Sequence, residues 1–426
     1  MLCENLNRRE LEMANEKRIM IVGGGFGGLF TALDLAGTSG AAITLITQDD
    51  HFTFTPMLYE YLSGEVEAWH IAPYYKDLVD GKMRIVRGEV ANIDFDSRTV
   101  NVNGREQGLG YDALVLAVGG VSNYYGIPGA ANYALPFRKI AHADELRRRM
   151  INALDHISPD LAPQDVREQL TFAVVGGGAS GVELATKMGD LLLDAFRRRN
   201  LKGEPRVLLL EMSDTVVPEM GDELRAFVVE ALKKSRVDVH TETKVIEVKQ
   251  NSIIFEHDGA QTEVATVAVV WTAGVRVSPV VEELDLEKDQ RGLIVIEPTL
   301  QVKDRPEVFA IGDMAVLANV PPRLPGTAQL AFQESTLCAD NVRALLAGRA
   351  LKTKHFEELG EAVSLGTENA AVLVGEHAFG GTLARQARYT LYTSRLPTWH
   401  HRLKVGASWF FEGTTPRPLQ EGNFNL

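Results

Sequence analysis

Apolar residues in this chain gather into short unbroken runs that end on glycines and give way to helical spacing. In "KRIMIVGGGFGGLFTALDLA" (17–36) a buried strand enters a glycine turn and then a helix, and "AAITLIT" (41–47) supplies the next strand. The same order returns in "LTFAVVGGGASGVELATKMGDLLLDAF" (170–196), followed by the strand "RVLLLEMSD" (206–214). Each passage opens a βαβ unit, so the chain encodes two such modules. Between them, "MRIVRGEVANIDFDSRTVNVNG" (83–104) alternates like an antiparallel meander, and "YDALVLAVGG" (111–120) reads as a short buried strand closing on glycines. Its counterpart in the second module is "ATVAVVWTAGV" (265–275). Strands resume across 286–315, a helix is expected from Ala328, and the last stretch is rich in aromatic and basic residues.

This order predicts an α/β chain whose first domain is discontinuous. The expected boundaries are 17–135 and 291–355 for the first domain, 136–290 for the second, and 356–426 for a C-terminal region. A length of 426 residues agrees with two or three cores.

Charge and cysteine content remove several classes of function. Forty-four Lys and Arg against 57 Asp and Glu give a net charge of -13, which repels nucleic acid. Two cysteines, Cys3 and Cys338, with no C-x-x-C, support neither a disulfide framework nor a cysteine zinc site, and no metal cluster is expected. The opening "MLCENLNRRELEMANEK" has no apolar core and several acids, unlike a secretory or transit peptide, so a cytoplasmic-side location is expected. No apolar run reaches the roughly 18 residues of a spanning helix.

The glycines carry the first chemical signal. Gly23, Gly25 and Gly28 satisfy G-x-G-x-x-G between a strand and a helix, and Gly176, Gly178 and Gly181 repeat it. At that junction the first glycine makes the turn, the second lets a pyrophosphate approach the backbone, and the third allows close helix–strand packing. Helix N-terminal N–H groups then face the phosphates. Glu211 ends the strand after the second loop, where a carboxylate accepts from ribose hydroxyls and repels a 2′-phosphate, so NADH is favoured and NADPH is the alternative. After the first loop that place holds Thr47, with Asp49 two residues on, and either could serve a ribose. Glu183, just past the last glycine of the second loop, reads as an acid in the first helical turn, where the helix dipole favours one.

Two such loops, the strand ends "LAVGG" and "WTAGV", and the late "VFAIGDMA" together resemble the two-dinucleotide-binding-domain flavoprotein family. The resemblance implies two Rossmann-like domains, one for non-covalent FAD and one for NAD(P)H. It implies that Gly312 and Asp313 close over the flavin, that Pro56 packs beside its ring, and that Val90, Gly119 and Ala328 line the FAD site, with Gly274 on the NAD(P)H side. Within that family the chain resembles type II NAD(P)H:quinone oxidoreductases through "DHFTFTPMLYEYLSGEVE" (50–67) and the A-Q-x-A-x-Q pattern in "GTAQLAFQES" (326–335). Gln329 and Gln333, four apart, share a helix face, and their amides can donate to quinone carbonyls. In this family the counterpart of Glu183 lies near nicotinamide and flavin. "LGEAVSLGTENAAV" and "YTSRLPTWHHRLKVGASWFF" resemble most the branch containing demethylphylloquinone reductases.

The implied activity is oxidation of NAD(P)H by FAD and reduction of a membrane quinone of benzoquinone or naphthoquinone type, by a peripheral homodimer. The segment 384–411 holds Arg385, Arg388, Arg395, Arg402 and Lys404 without an acid, interleaved with Trp399, Trp409, Phe410 and Phe411, which suits an anionic lipid surface. The alternatives are a reductase of ferredoxin or rubredoxin and a slow flavin redox sensor.

Overall fold

The computed structural model describes residues 16–158, 160–318, 326–357, 360–375 and 377–420. The expectation about the opening segment lies outside these residues. By contacts the chain divides into two compact units. One runs to Thr53 and resumes at Ala72–Val121 and Arg276–Glu358; the other comprises Phe54–Ile71, Ser122–Val275 and the chain from Leu359.

The first unit is built on an eight-stranded sheet. Its order is Ala315–Leu317, Ile294–Ile296, Gln301–Val302, Arg305–Ala310, Ala113–Leu116, Lys17–Val22, Ala41–Thr47, Arg84–Arg87. Lys17–Val22 is parallel to both neighbours, with Ile19 opposite Ile43 on one side and Ala113 on the other. Residues 19–22 are buried on both faces, which is why the segment reads as a continuous apolar run. The helices Phe26–Leu35 and Ala328–Leu346 pack against one another, with Phe30 edge-on to Phe332 at 4.8 Å. The expected meander is a separate three-stranded antiparallel sheet, Val90–Asp94, Thr99–Val102 and Leu109–Gly110.

The second unit repeats the plan in a five-stranded parallel sheet of order Val237–His240, Arg206–Leu210, Thr171–Val175, Ala268–Trp271, Leu135–Pro136. From the central strand the chain enters the long helix Ala179–Arg199. The antiparallel strands Lys244–Val248, Ser252–His257 and Ala260–Ala265 bury Val245, Val248, Ile253 and Phe255 against Trp271 and its neighbours.

The C-terminal region is a three-stranded sheet, Glu361–Leu365, Asn369–Val374 and His377–Gly381, followed by helices Thr382–Arg395 and Trp399–Glu412. Three side chains on one face of the Ala179–Arg199 helix receive the backbone of its first strand and turn. Glu183 accepts from Ser364 N at 2.8 Å, Thr186 Oγ1 from Gly366 N at 3.1 Å, and Asp190 from Thr367 N at 2.8 Å. Spacings of three and four residues put them in line along the helix. The C-terminal helix meets His70 of the short helix Ala68–Ile71: His401 Nε2 donates to the His70 carbonyl at 2.8 Å, and Trp409 Nε1 donates to His70 Nδ1 at 3.3 Å. Burial lowers the His70 pKa to about 4, so the ring stays neutral and can accept that bond.

Candidate functional site

In the first loop, the outer glycines are demanded by the protein itself. A Cβ on Gly23 would overlap the Ala117 carbonyl, and one on Gly28 would overlap the carbonyl of Gly23. A Cβ on Gly25 meets nothing within 4 Å. The fold gives no reason for glycine there, whereas a phosphate brought onto the helix N-terminus does. The second loop has the same asymmetry. Gly176 faces Ala273 at 2.9 Å and Gly181 would overlap the Gly176 carbonyl, yet Gly178 again meets nothing. Both loops therefore have the shape of a pyrophosphate cradle, and the first fits the diphosphate of FAD.

The two candidates after the first loop differ in exposure. Thr47 is 6% exposed, and a Cβ on Gly24 would lie 2.7 Å from its hydroxyl, beneath Tyr75, whose own hydroxyl donates to the Gly24 carbonyl at 2.7 Å. Thr47 thus supports the turn from below. Asp49 lies half-buried beyond the strand end. Val90 opens its strand, half-buried, and Gly119 sits at φ 65° with open space where a Cβ would point.

Gly312 and Asp313 form a single helical turn after the buried strand Arg305–Ala310. The Gly312 N–H donates at 2.7 Å to Glu334, a buried acid on the Ala328–Leu346 helix. Sequence reading passed over Glu334; the signal was an acid at a position flanked by core residues of that helix. Ala328 starts the helix behind an N-cap Thr327, whose hydroxyl accepts from Leu330 N at 3.1 Å. Gln329 and Gln333 are both half-buried, and Gln333 Nε2 donates to the Glu357 carbonyl at 2.9 Å, so one of its amide hydrogens is already engaged.

In the second unit Glu211 turns back over its loop. One carboxylate oxygen accepts from Gly177 N at 2.5 Å, the other from Ser213 N at 2.8 Å. Two backbone donors fix the carboxylate beside the phosphate cradle, the position from which it can receive ribose hydroxyls. Gly274, at φ 68°, lies three residues past the end of the neighbouring strand Ala268–Trp271.

Glu183 lies within the second unit in a buried set of charges. Arg388, 1% exposed, donates to Glu60 at 2.6 Å, to Glu183 at 3.2 Å and to the Pro56 carbonyl at 2.7 Å. Pro56, expected beside a flavin ring, is thus also an anchor for this guanidinium. Lys187 pairs with Glu65 at 2.5 Å and lies 3.7 Å from Glu60, and Arg385 meets Glu65 at 2.8 Å. Despite burial, which pushes its carboxyl up, Glu60 is held below the usual range by Arg388 and Lys187. Glu183 goes the other way: burial raises it to about 7, Arg388 only partly opposes this, and the Glu60 charge adds to it. One acid of the set therefore titrates near neutrality.

These charges correct one sequence expectation. Arg385 and Arg388, read as part of a lipid-facing basic surface, point inward, because Glu60 and Glu65 are buried and require countercharges. Arg402 is likewise drawn in, donating to the Leu396 carbonyl at 2.7 Å. Of the four aromatics expected at that surface, Trp399, Phe410 and Phe411 are exposed, the two phenylalanines 82% each, whereas Trp409 turns inward, half-buried, with its indole on His70 and its ring 5.0 Å from that of Tyr389.

Residues 17–335 match the pyridine nucleotide-disulphide oxidoreductase family. The chain is 35% identical over 92% of its length to the demethylphylloquinone reductase of Synechocystis, covering 95% of that protein. It is 32% identical to a type II NADH:quinone oxidoreductase of Mycobacterium tuberculosis, over 92% of this chain and 86% of the relative. The chain belongs to the type II NAD(P)H:quinone oxidoreductase family. Its fold matches that of NDH2 from Plasmodium falciparum in complex with NADH, with a TM-score of 0.83 at 17% identity, covering 95% of this chain and 100% of the other. Sulfide:quinone oxidoreductase from Aquifex aeolicus shares the fold at a TM-score of 0.72 and 18% identity, over 94% and 96% of the two chains. This type II oxidoreductase has Cys338 as its only cysteine among the described residues, buried and with its thiol pushed well up by desolvation. Among the described residues the disulphide chemistry in the broad family's description thus finds no pair of thiols.

Proposed function

We propose that this chain oxidises NADH and reduces a membrane quinone, with FAD as its resident cofactor. The observation that carries this reading is the pair of phosphate cradles, each with an unobstructed middle glycine, on two separate parallel sheets of one chain. FAD, when bound, accepts a hydride from the nicotinamide and passes the electron pair to quinone.

The residues divide the remaining work. Gly25 and the helix N-terminus behind it hold the FAD diphosphate, Asp49 takes its ribose in place of the occupied Thr47, and Gly312 with Asp313, fixed by Glu334, holds the ribityl side. Gly178 and Glu211 hold NADH, and the carboxylate disfavours NADPH. Gln329 borders the quinone, with Gln333 beside it on the same face. Quinol formation consumes one proton beyond the hydride, and Glu183, titrating near 7, is an acid able to exchange a proton at that pH.

The quinone is reached from the membrane surface. Among the described residues no helix is long and apolar enough to cross a bilayer. The exposed Trp399, Leu403, Phe410 and Phe411 rest on lipid, and the protein acts as a peripheral homodimer on the cytoplasmic face. Anaerobic rapid mixing tests the scheme. NADH alone should bleach the oxidised flavin band, and quinone should restore it; an unbleached flavin would reject the assignment.

A further inference from the structure

One exposed aromatic of the second unit is explained by neither the core nor the residues assigned so far. Tyr125 is 63% exposed, yet it sits at φ 51°, a backbone region that bulky side chains avoid. The strain is maintained by a tight set of bonds. Tyr125 N donates to Asn123 Oδ1 at 2.9 Å, Asn123 N to the Gly274 carbonyl at 3.2 Å, and the buried Trp271 indole to the Asn123 carbonyl at 2.9 Å. Held this way, the phenol lies directly on Gly274, where a Cβ would overlap its hydroxyl. Gly274 is doubly specified, by its φ of 68° and by this ring.

The location gives the strain a purpose. Glu211 ends the strand on one side of the glycine-loop strand, and Ala273 and Gly274 follow the strand on the other. A dinucleotide with its adenosine ribose at Glu211 and its diphosphate at Gly178 crosses the carboxyl ends of these strands, so its other half arrives over Gly274. We infer that Tyr125 is a nucleotide-positioning residue, whose ring forms a wall for the nicotinamide-ribose half of NADH. This rests on the assignment of the second loop to NADH.

The test compares ligands that share one half of the dinucleotide. In the FAD-loaded full chain, calorimetric titration with NAD⁺ and with ADP should show Tyr125→Gly weakening NAD⁺ by about tenfold while ADP stays within about twofold. Tyr125→Phe, which keeps the ring, should bind NAD⁺ within about twofold of the parent. In turnover the glycine variant should raise KM for NADH more than it lowers kcat. Its melting temperature should not fall, because glycine adopts this backbone freely. Equal weakening of ADP and NAD⁺, or unchanged NAD⁺ binding by Tyr125→Gly, would overturn the inference. A parent protein that binds neither ligand would overturn the nucleotide assignment beneath it.

Discussion

The guanidinium of Arg388 bonds Glu60 at 2.6 Å and Glu183 at 3.2 Å, and the two acids respond in opposite directions. Glu60, which also has Lys187 nearby, keeps its charge. Glu183 has the weaker share of the cation and the Glu60 charge beside it, so its proton is retained to about pH 7.

Replacing this acid should change both chemistry and stability with pH. A carboxyl raised from 4.5 to about 7 binds its proton more tightly in the folded state. Its stabilising effect is therefore complete below about pH 4.5 and is lost as pH climbs to about 7, amounting to roughly 3 kcal/mol. Glu183→Gln should flatten that slope, so that its melting temperature gains on the parent between pH 5 and pH 8. In activity, parent kcat should decline above about pH 7 as the acid loses its proton, whereas Glu183→Gln should be uniformly slower at quinone reduction with flavin content and NADH bleaching intact.

The two glycine positions of the first loop should fail differently. Gly25→Ala meets no protein atom, so the variant should fold with a normal circular dichroism spectrum but purify with little flavin. Gly28→Ala would overlap the Gly23 carbonyl, and thermal melting should show a loss of about 1–3 kcal/mol or failure to fold. The same contrast should hold for Gly178→Ala, read through NADH binding.

Glu211→Gln keeps the shape but removes the charge that repels a 2′-phosphate. The ratio of kcat/KM for NADPH to that for NADH should rise by about tenfold or more, through a higher KM for NADH and a lower one for NADPH. Unchanged selectivity would return Glu211 to a loop-bracing role, through its bonds to Gly177 and Ser213.

The loops were legible because their chemistry is local: strand, glycine spacing and helix lie within one short stretch, and Glu211 ends the next strand. What escaped depends on distance along the chain. Glu183 and Arg388 are 205 residues apart, so neither the raised pKa of one nor the burial of the other leaves a mark on its own neighbourhood. Arg388 sits among basic and aromatic residues that look like surface, and only the buried acids of Phe54–Ile71 show why it turns inward. Sequence supplies the position of Thr47 and not the ring of Tyr75 that lies with it at Gly24.

Membrane attachment is best tested with substitutions that leave the ion set alone. Removing everything after Ala384 would delete Arg385 and Arg388 and strand Glu60, Glu65 and Glu183, so lost lipid binding would be uninformative. Phe410→Ser with Phe411→Ser changes only exposed side chains. Partition onto anionic vesicles, read by flotation, should fall by about 100-fold or more, since each ring contributes roughly 1.5–3 kcal/mol, while the melting temperature should hold within a degree or so.

The line of Glu183, Thr186 and Asp190 also sets an order of events during synthesis. The helix that begins at the second glycine loop leaves the ribosome long before Ser364, Gly366, Thr367 and Arg388 exist to meet it. Until they emerge, Glu183 lacks the Ser364 N–H and the Arg388 guanidinium, Thr186 and Asp190 lack the N–H groups of Gly366 and Thr367, and Arg147 lacks the Arg417 and Pro418 carbonyls it bonds in the finished chain. The second unit therefore closes only when translation is almost complete, because residues of its central helix take their last partners from the end of the chain.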